Sequence, residues 1–410
     1  AHVVFNESIQ SLAGDIDTSG EGHAVIVFNP LPWAVTQPVV ATQSLAGAWD
    51  LVDGGYPLYL TDDKGKKHAA QKVFSGTSIF KSYLFMADVP ALGYRCYKVH
   101  TGKTTAPSKR LLSAHTRALE NDWWRIEIDP VTGHIERLFD KKNKVDVVRK
   151  ANTLAAIMDG TDTWSHHYVP WSIERGRFTA AQIDVLDDGP LMASLRIRTT
   201  YGKSQADTIL ALYRDSPLID CTLRVNWQEQ YTLLKMGFET RVEDGVATYD
   251  VAYGSQVRPA DGNEEPGQHW IDLTGTIDNK PYGLAVLNDS KYSFDVKHDT
   301  IRMTILRSPA YSHHEPFPFD AAEPYAFLDQ GWQTVRVRLL PHAGSWQQAG
   351  VVRAAWELNE PVFPHMECNH SGSLPKIASH LEADVASVLL LFFFKQKTAY
   401  EIIVRGYETA

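Results

Sequence analysis

The 410-residue sequence has few cysteines, few methionines and no long apolar run. Its three cysteines, Cys96, Cys221 and Cys368, are odd in number and widely spaced. That excludes a disulfide framework and a zinc knuckle, and predicts buried thiols in a reducing, cytoplasmic compartment. No apolar stretch approaches the roughly 18 residues that a membrane helix needs. The first ten residues lack the basic start and apolar stretch of a secretory signal, although a truncated start would hide one. Basic charge is also short: Lys and Arg number 40 against 49 Asp and Glu, a net charge of −9. Nucleic acid is therefore not an expected partner. What remains is an ordinary globular balance, 44% hydrophobic and 22% charged, with length for two or three domains. The 11 tryptophans suit stacking on sugars, but they fill β-sandwich cores as well, and composition favours the cores.

Phe5, Ile9 and Leu12 share one helix face, and Gly14 is expected to end that helix. It reads as the last turns of a helix begun upstream, so residues 1–22 are a helix remnant and linker. From Ala24 the pattern becomes β. AVIVFNPLPW is an apolar strand closed by prolines, and short strands follow near Pro38–Ala41, Tyr56–Leu60, Ser82–Val89 and Tyr94–Val99. Residues 23–105 thus predict a small β-sandwich. Beyond the polar linker TGKTTAPSKR, Trp124, Ile126 and Ile128 alternate with polar residues, and the Asp129–Gly133 segment supplies turn chemistry for a hairpin. Strand patterns then dominate to His342, which predicts one large antiparallel sandwich over residues 106–345. A short helix is expected at Gln347–Leu358, and residues 346–410 read as a linker helix and a further β region. The fold class expected is all-β.

Several motifs occur in a fixed order: an FNPLPW strand exit, ENDWWRIEIDPVTGHIERLFDKK, GTDTWSH, VNWQEQYTLLKMGF, RPADGNEEPGQHWID, YGLAVLNDSKYSFDV, LRSPAY and LLPHAGSW. Each is weak alone. Together they resemble the C-terminal region of glycoside hydrolase family 38 α-mannosidases of bacterial type, from about Ala24 to Val388. The resemblance implies an N-terminal α/β catalytic domain, a helical bundle, a small β-sandwich and a large supersandwich like that of galactose mutarotase. It implies retaining hydrolysis of terminal α-mannosides through a nucleophilic and an acid/base carboxylate, assisted by zinc. The family's early His-x-Asp and later Gln-Phe-His-Asp-type motifs are not in this sequence; His2 and His23 stand in the wrong context. The resemblance therefore places zinc and the catalytic residues on a part outside this chain, and assigns none here. A mannose-containing glycan or oligosaccharide and the chain's own catalytic domain are the implied partners. No membrane partner is expected, and homo-oligomerisation stays open. One tract departs from the family: LLLFFFKQKTAYEI, residues 389–402, resembles translated sequencing-adapter DNA found in environmental sequences, so its phenylalanines are not read as an anchor or a sugar platform.

Two segments are candidates for lending polar groups to a sugar site. In LNDSKY, Asp289 and Lys291 follow the apolar strand GLAVL, and polar clusters at strand ends sit on sandwich rims. Lys291 offers three donors to sugar hydroxyls. The plainer alternative is a turn closed by Asn288 and Asp289 with Lys291 solvated. In the second segment Tyr253 and Arg258 precede a Gly/Pro-rich loop carrying Glu264 and Glu265. Adjacent carboxylates in an extended segment point opposite ways, so they do not flank one bond. His166-His167 and His313-His314 lack metal-ligand spacing and read as loop histidines packed on aromatics. Trp164 and Trp171 fit core or interface packing better than sugar stacking. Two other readings remain: a free-standing carbohydrate-binding or scaffolding β-protein, and an active mutarotase or lyase on the same supersandwich.

Overall fold

The computed structural model describes residues 2–43, 58–73, 81–102, 111–166, 171–314, 316–317, 320, 322–379, 391–394 and 402–405. All strand pairings in its sheets are antiparallel, and the chain is all-β apart from two helices among the described residues. Two compact units divide it, residues 1–108 with 360–410, and residues 109–359.

In the first unit, helix His2–Asp15 buries Ala13 and rests Ile9 and Leu12 on a cluster that includes Ile26, Phe28 and Tyr94. Phe5 stays half exposed but meets Phe363, ring centroids 5.2 Å apart. Gly14 does not end the helix, which continues to Asp15. Glycine weakens a helix by only about 1 kcal/mol, and burial of the neighbouring Ala13 and Ile16 holds the last turn. One eight-stranded sheet runs through Val35–Gln43, Lys81–Val89, Lys67–Val73, Leu58–Thr61, Gly93–Thr101, His23–Asn29 and Phe363–Glu367, with Ile377–Ser379 added on Gly93–Thr101. Strand Lys67–Val73 joins its two halves, pairing through residues 67–69 on one side and 70–73 on the other. The Phe85 and Tyr97 rings then meet at 5.1 Å. Lys67–Val73 was not expected from pattern, because its residues KHAAQKV carry little apolar alternation.

The expected boundary near residue 345, with 346–410 as a single region, differs from what the structure shows. Helix Val351–Asn359 belongs to the second unit, whereas Phe363–Glu367 and Ile377–Ser379 complete the first unit's sheet. Sheet pairing between residues so distant in sequence is invisible to local pattern. Leu391–Phe394 and Ile402–Arg405 pair as a separate two-stranded sheet. Tyr56, Gly54-Gly55, the 103–110 linker and the middle of the 389–402 tract lie outside the described residues.

The second unit stacks an 11-stranded sheet on a 9-stranded one. Alternation makes this possible. In Trp124–Ile128 the core takes Trp124, Ile126 and Ile128, and in Ser216–Trp227 it takes Leu223, Val225 and Trp227. Side chains of both sheets form one core cluster. Two buried polar groups at its edge are satisfied. The Tyr282 hydroxyl donates to Asp140 (2.6 Å), and Asn121 donates to the Tyr213 carbonyl (3.0 Å) while accepting from the amides of Trp123 and Trp124. The expected hairpin at Asp129–Gly133 forms: the Asp129 carboxylate accepts the Val131 and Thr132 amides, both at 2.8 Å. Gly133 has φ +74°, and a Cβ there would come within 2.6 Å of Ile197, so only glycine fits. The second helix, Val351–Asn359, buries Val351, Ala355 and Leu358 on the 9-stranded sheet beside Trp270.

Candidate functional site

One end of the second unit gathers the strand ends Met158, Trp227, Asn288 and Arg307 and the strand starts Thr232, Ser293 and Gly331. The loops after these strands form the rim on which the sequence placed its first candidates.

Asn288, fully buried, accepts the amides of Ser290 (3.0 Å) and Lys291 (2.6 Å) through its side chain. The turn is therefore closed by Asn288, and Asp289 is released for another task. Its carboxylate accepts the backbone amide (3.0 Å) and Nε (2.8 Å) of Arg336. Lys291 is half-buried rather than solvated, with Nζ 3.4 Å from Gln333 Oε1. Burial lowers the pKa of its ammonium, while Asp329 and Asp289 pull the other way. Asp289 and Lys291 are thus a built pair at a strand end.

Tyr253 and Arg258 belong to a separate feature, the edge hairpin of Glu243–Val251 and Gly254–Arg258. Tyr253 sits in its turn at φ +64° and is 95% exposed. Arg258 is committed to Glu265 at 2.6 Å and lies over the Tyr249 ring. Glu264 turns away from Glu265: it pairs with Lys235 and accepts from Ser293 at 2.6 Å and from Thr304. The two carboxylates do not flank a common bond.

The rim also holds a cluster that the sequence reading missed. Strand residue Arg307 forks onto buried Asp159 (2.9 and 3.2 Å) and donates to Ser165 (2.6 Å), Thr161 (2.7 Å) and the Asp162 carbonyl (3.2 Å). The same guanidinium covers the Trp171 ring at 4.7 Å. Asp159 further accepts from Thr161 and from Trp171 Nε1. One arginine therefore staples the 159–166 loop. Both residues lie in or beside recognised motifs, GTDTWSH and LRSPAY, but 148 positions separate them, and no local spacing could pair them.

That stapled loop presents Trp164, 57% exposed, edge-on to His314 at 4.5 Å. His166 bonds Asp162 at 2.6 Å and lies 6.4 Å from His314. His313 packs on Tyr325. His313 and His314 pack on aromatics as expected, whereas His166 is held by Asp162 and has only His314 as a ring neighbour among the described residues; His167 lies outside the described residues. Trp171 is buried, packed with Ala155, Ile157 and Leu233, whereas Trp164 is more exposed than core packing allows. Cys96 and Cys221 are buried and their thiol pKa values rise to about 11 and about 12. Cys368 is exposed, contrary to expectation, because it follows the last residue of an edge strand.

Among the described residues no group of three or more His, Cys, Asp or Glu side chains is placed to hold a metal ion. The His166–Asp162 pair has His314 only at ring distance. These residues do not fit a zinc centre, and no chemical step through a metal is derived from them. No helix among the described residues is long and apolar enough to cross a membrane.

Residues 119–318 match the family model described as the glycosyl hydrolases family 38 C-terminal domain. Alpha-mannosidase 2C1 of Mus musculus is 32% identical over 155 residues, covering 36% of this chain and 13% of that protein. Alpha-mannosidase G of Dictyostelium discoideum is 26% identical over 255 residues, covering 56% of this chain and 22% of its own. The chain thus spans less than a quarter of these curated relatives. An α-mannosidase structure from Enterococcus faecalis V583 superposes with a TM-score of 0.76 over 99% of this chain and 53% of its own, at 17% identity, which is a likeness of fold. The matched span, residues 119–318, holds the ordered motifs from ENDWW to LRSPAY, and over it the chain is similar to the C-terminal region of glycosyl hydrolase family 38.

Proposed function

We propose that this chain is the β-rich C-terminal portion of a retaining α-mannosidase acting on terminal α-mannosides, and that it completes an active site whose catalytic carboxylates and zinc lie on a segment outside these residues. The observation that carries the reading is the family 38 C-terminal domain match over residues 119–318. Within the reading, Asp289 and Lys291 are the groups on this chain placed to meet substrate. Arg336 fixes the Asp289 carboxylate from two donors, and the lowered pKa of Lys291 keeps its proton available for sharing with a hydroxyl. Arg258, tied to Glu265, and exposed Tyr253 serve as contacts at the hairpin rather than in the chemistry. A retaining enzyme needs two facing carboxylates about 5 Å apart. Glu264 and Glu265 are held in opposite directions by Lys235 and Arg258, which supports a supporting role for this chain. The ligand class is a mannose-containing glycan.

Two measurements test this. The chain alone, with and without added zinc, is expected to leave an aryl α-mannoside intact. Turnover by the chain that a chelator abolishes overturns the proposal. The coding DNA upstream, read in the same frame, is expected to encode a His-x-Asp motif and a Gln-Phe-His-Asp-type motif. An in-frame stop directly before Ala1 would favour a free-standing carbohydrate-binding protein instead.

A further inference from the structure

A cavity of about 290 Å³ opens on the face of the 11-stranded sheet that points away from the core. Its floor is Thr153, Ala155 and Gly237 on two central strands. The floor is low because Gly237 has no Cβ: one placed there would stand 2.5 Å from Thr153 Oγ1. The walls are polar. Arg177 makes a two-toothed bond to Glu174 (2.7 and 2.9 Å), Arg302 donates Nε to Asp295 (2.7 Å), and Asp299 pairs with Arg149. Glu239, Lys297 and His298 complete the rim. Lys235, 1% exposed, reaches the cavity from between the carboxylates of Asp295 and Glu264.

Three features of this arrangement need a reason. Burying Lys235 and Asp295 costs more than a pair of apolar residues in the same place would. Sheets covered on one face normally present separate, solvated side chains on the other, not a recess with immobilised charges. His298 turns the Ser293–Lys297/Thr300–Arg307 hairpin at φ +55°, where asparagine or glycine is the usual choice. All three follow if the recess holds a ligand.

The chemistry of the walls selects its class. The four cations Arg177, Lys235, Lys297 and Arg302 line the cavity with the anions Glu174, Glu239 and Asp299. Asp295 and Glu264 behind Lys235, and Arg149 behind Asp299, bring the two signs level. A charge-balanced site gains little from an ionic ligand. It offers fixed N–H donors and carboxylate acceptors, and among the described lining residues Ala155 is the largest purely apolar side chain. We propose that this recess binds a neutral polyhydroxylated ligand, one sugar ring in size. Carboxylates accept from its hydroxyls while the arginines and lysines donate to them. The volume sits at the low end of the roughly 300–1,000 Å³ of small-molecule sites, which suits one ring better than a chain. The site shares no residue with the Asp289–Lys291 pair, so the proposal does not rest on the active-site reading above.

The test uses the whole 410-residue chain, with methyl α-D-mannopyranoside and methyl α-D-glucopyranoside as probes in saturation-transfer NMR and titration calorimetry. Binding with a Kd of about 1 mM is expected for at least one glycoside. Glu239→Ala removes an acceptor from a partly exposed strand position, and is expected to weaken binding about tenfold without changing the near-UV spectrum. Ala155→Phe fills the floor and should abolish binding. Inorganic phosphate should not compete. Absence of glycoside binding at about 10 mM, undiminished binding in Glu239→Ala, or displacement by phosphate each overturns the proposal. Any of these results leaves the family assignment untouched, because that rests on motif order and fold.

Discussion

At the scale of single residues, the positions that matter most here are charged groups removed from water. Arg307 and Asp159 illustrate the point: Asp159 is fully buried, and Arg307 makes five side-chain hydrogen bonds around it. Arg307→Ala leaves the carboxylate with Thr161 and Trp171 but without its counter-charge. The expected loss is about 3 kcal/mol of folding stability, read from the denaturant midpoint. Arg307→Lys should recover little of it, because an ammonium cannot reproduce the fork. A second residue, His134, is buried in the second unit, and burial holds its pKa near 4 against an ordinary 6.5. Its neutral form is the folded form. The unfolded chain takes up the proton first as pH falls, so the contribution of His134 is fully present above about 6.5 and is lost as pH falls toward 4. A denaturant series between these values should show stability falling with pH, and His134→Gln should flatten that slope. A slope unchanged by the substitution would assign it to other groups.

At the scale of elements, pattern and outcome agree where one side of an element is buried. The alternation in Trp124–Ile128, the Asp129–Gly133 turn and a short helix near Gln347–Leu358, found at Val351–Asn359, were all readable from local pattern. Legibility failed at one strand covered on both faces and interrupted by a lysine, whereas AVIVFN and GLAVL, equally covered, were readable as continuous apolar runs. Thr232–Thr240 is buried along nearly its whole length: Met236 and Phe238 enter the core, while Leu233 faces Trp171 and Lys235 faces Glu264 and Asp295 on the other side. No alternation marks such a strand, and its lysine looks like a surface residue in sequence. Lys67–Val73 was hidden for a different reason: it is largely half-exposed, and KHAAQKV carries little apolar alternation. The candidate site divided along similar lines. Asp289 and Lys291 were findable because a polar cluster after an apolar strand marks a rim. Arg336, Gln333 and Arg307, which complete that rim, lie on other strands and carry no local signal.

At the scale of the molecule, the two units draw on the sequence differently. Residues 109–359 form one continuous stretch, whereas the first unit is closed by strands from the far end of the chain. Calorimetry should separate them. A chain ending at residue 359 is expected to keep the transition of the second unit and to lose or lower that of the first, whose strand His23–Asn29 would lack its neighbour Phe363–Glu367. Equal loss of both transitions would contradict this division.

By itself the sequence determined the all-β class, the Asp129–Gly133 hairpin turn, the two helices and the resemblance to family 38, because these depend on local periodicity, turn residues and ordered motifs. Only the tertiary structure decided which strands adjoin, that Phe363–Glu367 returns to the first sheet, that Arg307 reaches Asp159, and that Lys235 stands at the wall of a recess. Those pairings join residues tens to hundreds of positions apart. They arise when buried charges and open sheet edges must find partners anywhere on the chain, and that requirement leaves no trace in local spacing.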